Sequence, residues 1–192
     1  MILVNAGCLR SGTTVGKKDD SKEIPRFSIY LVKEERKNDA IKFSGFKNGS
    51  QYKGLNINLD ILSIQDTPVI TDKDIKAYHW KTHQIEFTEE FISKQSTGNL
   101  NSEKKQMSSL DSGSKILKAE EFDAFLIEID GKRIYSGGFP YSPIRSQIGA
   151  AIIIKDKGRN SIEIWHVPDI GNDLRSDMTI YKLFKEQGKL VE

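Results

Sequence analysis

The residue pair best suited to chemistry in this chain of 192 residues is His79 and His83, which lie four positions apart. Two histidines at this spacing share one face of an α-helix, where they can bind one metal ion. However, Trp80 and the apolar alternation that begins at His83 indicate that a helix ends between them. No Glu completes an H-E-x-x-H motif, and no third ligand is evident. We therefore predict neither a metal site nor a cofactor, and we interpret His83 and His166 as structural side chains.

Cys8 is the single cysteine of the chain, so an internal disulfide is excluded. An apolar start and the small residues Ala6-Gly7 precede it, and a polar stretch that extends to Glu23 follows it. This order resembles the end of a bacterial lipoprotein signal, in which the cysteine is lipidated and the polar stretch tethers a domain. The run before Cys8 is short and Asn5 replaces the usual aliphatic residue, so an unmodified thiol in an ordinary N-terminus is the alternative. We predict Cys8 as a lipidation site.

No set of catalytic residues is evident elsewhere in the sequence. The chain lacks the G-x-S-x-G motif of nucleophilic serines. Gly137-Gly138 is followed by Phe139-Pro140 and not by a helix, so it lacks the geometry of a phosphate-binding loop. Carboxylate pairs such as Glu89-Glu90 lie at predicted helix starts, where the helix dipole accounts for them. We predict no catalytic residues.

The charge balance argues against a nucleic-acid partner. The chain has 29 Lys and Arg residues against 27 Asp and Glu residues, which gives a net charge of +2. A nucleic-acid-binding face needs concentrated positive charge, whereas acidic residues accompany the basic ones throughout this sequence. No apolar run approaches the roughly 18 residues that a membrane-spanning helix needs. We therefore expect any membrane contact to be made through a lipid anchor only.

Alternating apolar residues predict most of the elements that would position these side chains. Asp130-Gly131 predicts a two-residue turn inside a β-hairpin. The chain between 33 and 39 is strongly charged and predicts a turn or solvated loop. The predicted strands are 26–33, 54–61, 83–87, 124–129, 132–135, 150–155 and 161–167.

Three helix starts are predicted from capping residues. Thr71-Asp72-Lys73-Asp74 indicates a short helix that ends near Trp80, because a Thr hydroxyl and early carboxylates suit a helix N-terminus. Thr88-Glu89-Glu90 indicates a second helix. A C-terminal helix capped at Ser176 follows, with Gly188 just beyond its end. We expect Trp80 and at least one of Ile75 and Tyr78 to be buried against the sheet that contains Ile85 and Phe87.

These elements predict an α+β fold with one antiparallel or mixed β-sheet packed by two or three short helices, including a C-terminal helix. A βαβ array is not expected. Residues 1–24 are predicted to form a flexible N-terminal tether, and residues 25–192 a single α+β domain. The Ser-rich segment near 93–115 is predicted to be a mobile insertion, because it can bury too little apolar surface to offset the entropy of ordering.

Several short sequence motifs resemble those of known proteins. Thr71-x-x-Asp74-Ile75, a strand, Thr88-x-Glu90 and then Asp130-Gly131-Lys132-x-Ile134 occur in this order. This order is similar to the extracytoplasmic head domain of the SecD/SecF protein-export accessory proteins. The resemblance implies an extracytoplasmic binding or scaffolding domain, and it offers no catalytic residues to carry over.

A second resemblance involves the C-terminal part of the chain. The words are Asp74-Ile75, Tyr78-x-Trp80 and His83, followed by Asn172-Asp173, Arg175-x-Asp177 and Ile180-Tyr181. Together they resemble small uncharacterised bacterial lipoproteins. This resemblance implies an extracytoplasmic location, with a protein or another component of the cell envelope as partner.

Three functional hypotheses follow from the sequence. The first is an extracytoplasmic, lipid-anchored bacterial binding or scaffolding domain without catalytic activity. The second is a soluble partner-binding protein of the inhibitor or immunity type, which would use an exposed sheet edge at 124–136 or 54–61. The third is a metal-dependent hydrolase that uses His79, His83 and a carboxylate such as Asp74. It requires the two histidines to converge on one pocket.

Overall fold

A computed structural model describes residues 24–46, 51–52, 55–97, 114–120, 123–139 and 150–192. Cys8, the predicted tether before Ile24, and residues 98–113 of the predicted Ser-rich insertion lie outside the described residues. Residues 93–97 of that insertion belong to a helix. The helices are α1 Lys37–Phe43, α2 Glu89–Thr97 and α3 Met178–Glu186. The strands are β1 Phe27–Leu31, β2 Gln51–Tyr52, β3 Leu55–Asn56, β4 Ile70–Thr71, β5 Ile75–His79, β6 Gln84–Phe87, β7 Ala124–Ile129, β8 Lys132–Gly138, β9 Ile152–Asp156, β10 Ser161–His166 and β11 Leu190–Val191.

Nine of these strands form one mixed sheet with the order β11-β5-β6-β10-β9-β8-β7-β1-β4. The β11/β5 and β8/β9 pairs are parallel, and the other pairs in the sheet are antiparallel. The predicted α+β class with a mixed sheet and a C-terminal helix is therefore confirmed. The sheet is larger than expected, because the sequence did not show which strands would pair.

The sheet curls around α3. Phe27 lies in β1 and Tyr78 in β5, and six steps separate these two strands in the sheet. A flat sheet would place them roughly 29 Å apart, at about 4.8 Å for each step. However, the ring centroid of Phe184 in α3 lies 5.2 Å from that of Phe27 and 4.7 Å from that of Tyr78. One helical side chain therefore packs against both ends of the sheet.

Asp72 joins the same two ends through polar contacts. It lies in the one-turn 3₁₀ helix Asp72–Asp74 between β4 and β5, which are far apart in the strand order. Its carboxylate accepts the Arg26 N–H at 3.1 Å and the Gln187 Nε2–H at 2.9 Å. The Arg26 guanidinium also pairs with Glu186 at 3.0 Å. These contacts connect the start of β1 to the end of α3.

The C-terminal helix forms as its sequence predicts. Ile180, Leu183 and Phe184 lie on one face and are buried. Asp177 caps the helix by accepting the Thr179 N–H at 2.9 Å, so the cap is one residue later than the predicted Ser176. Gly188 follows the helix with φ of 67°, the left-handed conformation in which glycine ends helices.

The charged run 33–39 agrees only in part with the predicted turn or solvated loop. Glu34–Arg36 form a 3₁₀ turn, and α1 begins at Lys37. Ala40 and Phe43 are buried in a second cluster that contains Val32 and Leu126, on the face of the sheet opposite α3. The charges of the run occupy the solvent side of this short helix, and its apolar side becomes evident only at residues 40–43.

Two further predictions were wrong. The predicted strand 54–61 contains only the short β3, because the Asn58 side chain accepts the Asp60 N–H and caps a 3₁₀ turn over Leu59–Ile61. Thr71–Asp74 starts only one 3₁₀ turn, after which the chain continues as β5. Pairing of β5 with both β6 and β11 outweighs the local preference for a short helix.

The central hairpin confirms its prediction. β7 and β8 pair in antiparallel register, and Asp130 and Gly131 have φ of 49° and 73°. Positive φ at both turn residues is the type I′ geometry that joins twisted strands. β9 and β10 form the next predicted pair, with Gly158 at φ of 80° in their turn.

Candidate functional site

His79 and His83 lie on opposite faces of the sheet and do not form a shared site. His79 Nε2 lies 2.8 Å from Glu86 Oε1 on the partly exposed outer face. His83 is buried, and its Nδ1 lies 2.9 Å from the Tyr78 hydroxyl. Tyr78 and His79 are neighbours in β5, so their side chains point to opposite faces of the strand. The helix that would have aligned the two histidines does not form.

An aromatic cluster surrounds Tyr78 on the inner face. The Tyr78 ring stacks on Phe184 with an interplanar angle of 6°. Trp80 contacts Tyr181 edge-on with ring centroids 5.1 Å apart, and it contacts His83 at 5.6 Å. Tyr78 is fully buried, whereas Trp80 is only partly buried against the core. The predicted burial of Ile75 or Tyr78 is therefore confirmed, since both are buried, whereas the prediction for Trp80 is corrected to partial burial.

Arg175 fastens the segment before α3 to the sheet. Its guanidinium forms two parallel bonds with Asp173, from Nε at 2.9 Å and from Nη2 at 2.8 Å. Its Nη1 donates to the Ile164 carbonyl of β10 at 3.1 Å. The bonds from Arg175 lower the pKa of Asp173 to about 2, so this carboxylate remains charged at neutral pH. Asp173 and Arg175, which belong to the C-terminal motif of the second resemblance, thus have a structural role.

The electrostatic surroundings keep His83 neutral. Burial lowers its pKa to about 4, and the positive charge of Arg175 acts in the same direction. Burial also raises the pKa of Tyr78. The neutral imidazole and the neutral phenol form one hydrogen bond in the interior. This pair holds the β5–β6 turn, where His83 has φ of 53°, and it presents no charged reactive group.

Tyr135 is the polar group that the sequence did not single out. Its hydroxyl is completely buried and has no hydrogen-bond partner among the described residues. Burial raises its pKa well above the ordinary value. A register shift in the hairpin places Tyr135 opposite the buried Ile127, so simple alternation from the Asp-Gly turn could not predict its direction.

The third histidine, His166, also has a structural partner. His166 Nε2 lies 2.9 Å from the Ile170 carbonyl oxygen, in keeping with its interpretation as structural. Within the described residues, no group of three or more His, Cys, Asp or Glu side chains is placed to hold a metal ion. The helices described are also too short and too polar for any of them to cross a membrane.

An open cleft of about 470 Å³ lies between three segments that are distant in sequence. We call it the α2 cleft. One wall is formed by Ile92 and Gln95 of α2, another by residues of the segment 114–120, and the third by the end of β9 and the β9–β10 turn. The residues that line it are Ile92, Gln95, Lys115, Ile116, Asp156, Gly158 and Arg159.

Asp156 builds one wall of the α2 cleft. Its carboxylate accepts the Ser114 hydroxyl at 2.5 Å and the Lys115 N–H at 2.9 Å. Ser114 and Ala119 also form an isolated β-bridge. Both oxygens of Asp156 are therefore occupied in holding the segment 114–120 against the sheet.

Two polar side chains of the α2 cleft differ from the satisfied groups described above. Gln95 and Arg159 form no hydrogen bond or ion pair within the described part of the chain. The apolar side chains of Ile92 and Ile116 lie in the same cleft. A concave apolar surface with a few convergent polar groups is typical of small-molecule sites. No spacing in the sequence indicated this site, since its walls come from residues up to 67 positions apart.

The sheet edge expected for an inhibitor-type protein is not available at the hairpin. β7 and β8 are interior strands, flanked by β1 and β9. The other proposed edge, 54–61, is strand only at β3, which pairs with β2 in a separate two-stranded sheet.

Comparison with known proteins adds no assignment: the chain matches no protein-family model, no curated protein and no solved structure.

Proposed function

We propose that this chain is a non-catalytic, extracytoplasmic binding or scaffolding domain of a bacterium, tethered to the membrane by a lipid on Cys8. Its partner is a protein or another component of the cell envelope. The observation that carries the proposal is the contrast among its polar groups. The three histidines have internal partners, while Gln95 and Arg159 lie in an open cleft and have no partner within the described residues. Free polar groups in a concave site support binding, and fully engaged histidines do not support acid–base turnover.

The tether rests on the order of residues around Cys8. Small residues precede the cysteine, a polar stretch follows it, and the first strand begins at Phe27. A leash of this length separates a lipidated cysteine from the folded domain. Membrane attachment through one or two acyl chains requires no apolar helix in the domain itself.

Metabolic labelling in the native bacterium tests the tether. Cells are grown with an alkyne analogue of palmitate, and the protein is purified and tested for label and for its distribution between membrane and soluble fractions. We expect label in the native chain, its loss in Cys8→Ser, and its retention in the control Ser11→Ala. An unlabelled native protein in the soluble fraction, or label that survives Cys8→Ser, contradicts the tether.

The hydrolase hypothesis is not favoured by the geometry. It requires His79 and His83 to face one pocket, but their partners, Glu86 and Tyr78, lie on opposite faces of the sheet. A soluble inhibitor-type protein remains an alternative, and it would need a surface other than the interior hairpin. Recovery of the native protein from the soluble fraction with one partner at equal stoichiometry would favour it.

A further inference from the structure

We propose that the α2 cleft binds a small amphiphilic carboxylic acid, that is, a carboxylate carried on an apolar body. This inference rests on the proposed binding function and names the class of ligand. Three features of the α2 cleft carry it: a guanidinium that is not paired within the described residues, an amide in the same position beside apolar side chains, and an internal carboxylate whose oxygens already accept other hydrogen bonds.

Arg159 supplies the anion-binding group. It is exposed in the β9–β10 turn and has no ion pair within the described residues. Its planar guanidinium can donate two parallel hydrogen bonds to one carboxylate, which an ammonium group cannot do. The turn places it next to Gly158, which has no side chain to obstruct an approaching ligand.

Asp156 does not neutralise Arg159, although both line the α2 cleft. Its two oxygens accept the Ser114 hydroxyl and the Lys115 N–H, and no ion pair joins it to Arg159 among the described residues. An incoming carboxylate therefore meets a guanidinium that is not ion-paired with any anion of the described chain. The Gln95 amide is placed in the same cleft and can add a donor or an acceptor.

The apolar side chains select for the body of the ligand. Ile92 is partly buried and Ile116 is mostly buried, so both present apolar surface to the α2 cleft. A volume of about 470 Å³ lies within the range of small-molecule sites, roughly 300–1,000 Å³. Burial of the ligand's apolar part supplies the free energy that an exposed carboxylate–arginine pair lacks on its own.

Titration with sodium octanoate, followed by backbone amide NMR, tests the proposal. The protein used is the full chain carrying Cys8→Ser, so that lipidation does not affect the result. We expect saturable shifts at the amides of Gln95, Ile116 and Gly158. Octan-1-ol lacks the charge and acetate lacks the apolar body, so both should bind much more weakly. Absence of saturable shifts with octanoate, or equal binding of octan-1-ol, overturns the proposal.

Two variants with the same charge change separate a specific site from general attraction. Arg159→Gln should weaken octanoate binding by about tenfold or more, as expected for loss of charge-assisted hydrogen bonds. Lys81→Gln is the matched control, since Lys81 is exposed in the β5–β6 turn and does not line the α2 cleft. Its affinity should equal that of the parent chain. Equal weakening by both substitutions, or none by Arg159→Gln, contradicts the assignment.

The same samples distinguish failure of this inference from failure of the proposed function. If octanoate does not bind while Cys8 is lipidated in the native bacterium, the ligand class is wrong and the tethered domain stands. If octanoate binds at the α2 cleft while native Cys8 is unmodified, the tether is wrong and the ligand class stands. Conversion of octanoate to another species in the NMR sample would overturn the non-catalytic function.

Discussion

The surroundings of Tyr78 and the α2 cleft differ in whether their polar side chains have hydrogen-bond partners. Around Tyr78, His83 bonds to the phenol and Arg175 bonds to Asp173 and to a β10 carbonyl. In the α2 cleft, Gln95 and Arg159 have no partner within the described residues. A polar group with an internal partner contributes to stability, whereas a free one is available to a ligand. The comparison shows that chemically suggestive residues can serve the fold, whereas the binding site proposed above consists of residues that no motif indicates.

Phe184→Ala should have the largest effect, because this ring packs against both Phe27 and Tyr78 and thus holds the two ends of the curled sheet. We expect a loss of about 3–5 kcal/mol in the free energy of unfolding, the usual range for a buried Phe. Trp80→Ala should cost less, since Trp80 is only partly buried. Urea denaturation followed by circular dichroism measures both variants. A larger loss for Trp80→Ala would show that Trp80, and not Phe184, contributes most to holding α3 against the sheet.

Acid should weaken the Tyr78 region through His83. Its pKa is 6.5 when unfolded and about 4 when folded, so the unfolded chain binds a proton first as the pH falls. Stability is therefore lost between pH 6.5 and pH 4, by about 3 kcal/mol in total. The midpoints of urea denaturation, measured across this pH range, show how steeply stability depends on pH. His83→Asn removes the titration and tolerates positive φ, so its profile should be flatter; identical profiles would mean that His83 does not titrate as described.

Two arginine variants test the difference between the Tyr78 region and the α2 cleft. Arg175→Gln should cost about 1–2 kcal/mol, because it removes two bonds to Asp173 and one to the Ile164 carbonyl. Arg159→Gln removes no internal bond within the described chain and should change stability by less than about 0.5 kcal/mol. Thermal and urea denaturation of both proteins provide the measurement. If Arg159→Gln is the more destabilising, Arg159 serves the fold and is not a free ligand-binding group.

Tyr135→Phe should give the smallest change in this interior, and its sign is the informative part. The Tyr135 hydroxyl is buried without a partner in the described structure, and such a group costs stability. Removing it should leave the free energy of unfolding unchanged or raise it by about 1 kcal/mol. Urea denaturation of Tyr135→Phe and of the parent chain measures the difference in the free energy of unfolding. A clear loss would show that the hydroxyl has a partner in solution, such as a buried water.

Contacts within continuous segments were predictable from the sequence. The α+β class, the hairpin at Asp130-Gly131 and the C-terminal helix before Gly188 all agree with the structure. Each depends on residues close in sequence, through alternation, positive φ at a turn, or a helix-ending glycine. The C-terminal motif around Arg175 is also visible in the sequence, although the sequence does not show that Arg175 bonds to β10.

The tertiary structure alone decided the rest. Ile75–His79 became a strand because β6 and β11 pair with it, and this placed His79 and His83 on opposite faces. The curl of the sheet depends on Phe184 meeting strands that begin more than 100 positions earlier in the chain. The α2 cleft likewise forms where α2, the segment 114–120 and the β9–β10 turn converge. Local pattern predicts which elements form, but the free energy of packing between distant segments decides which faces meet and which polar groups remain free.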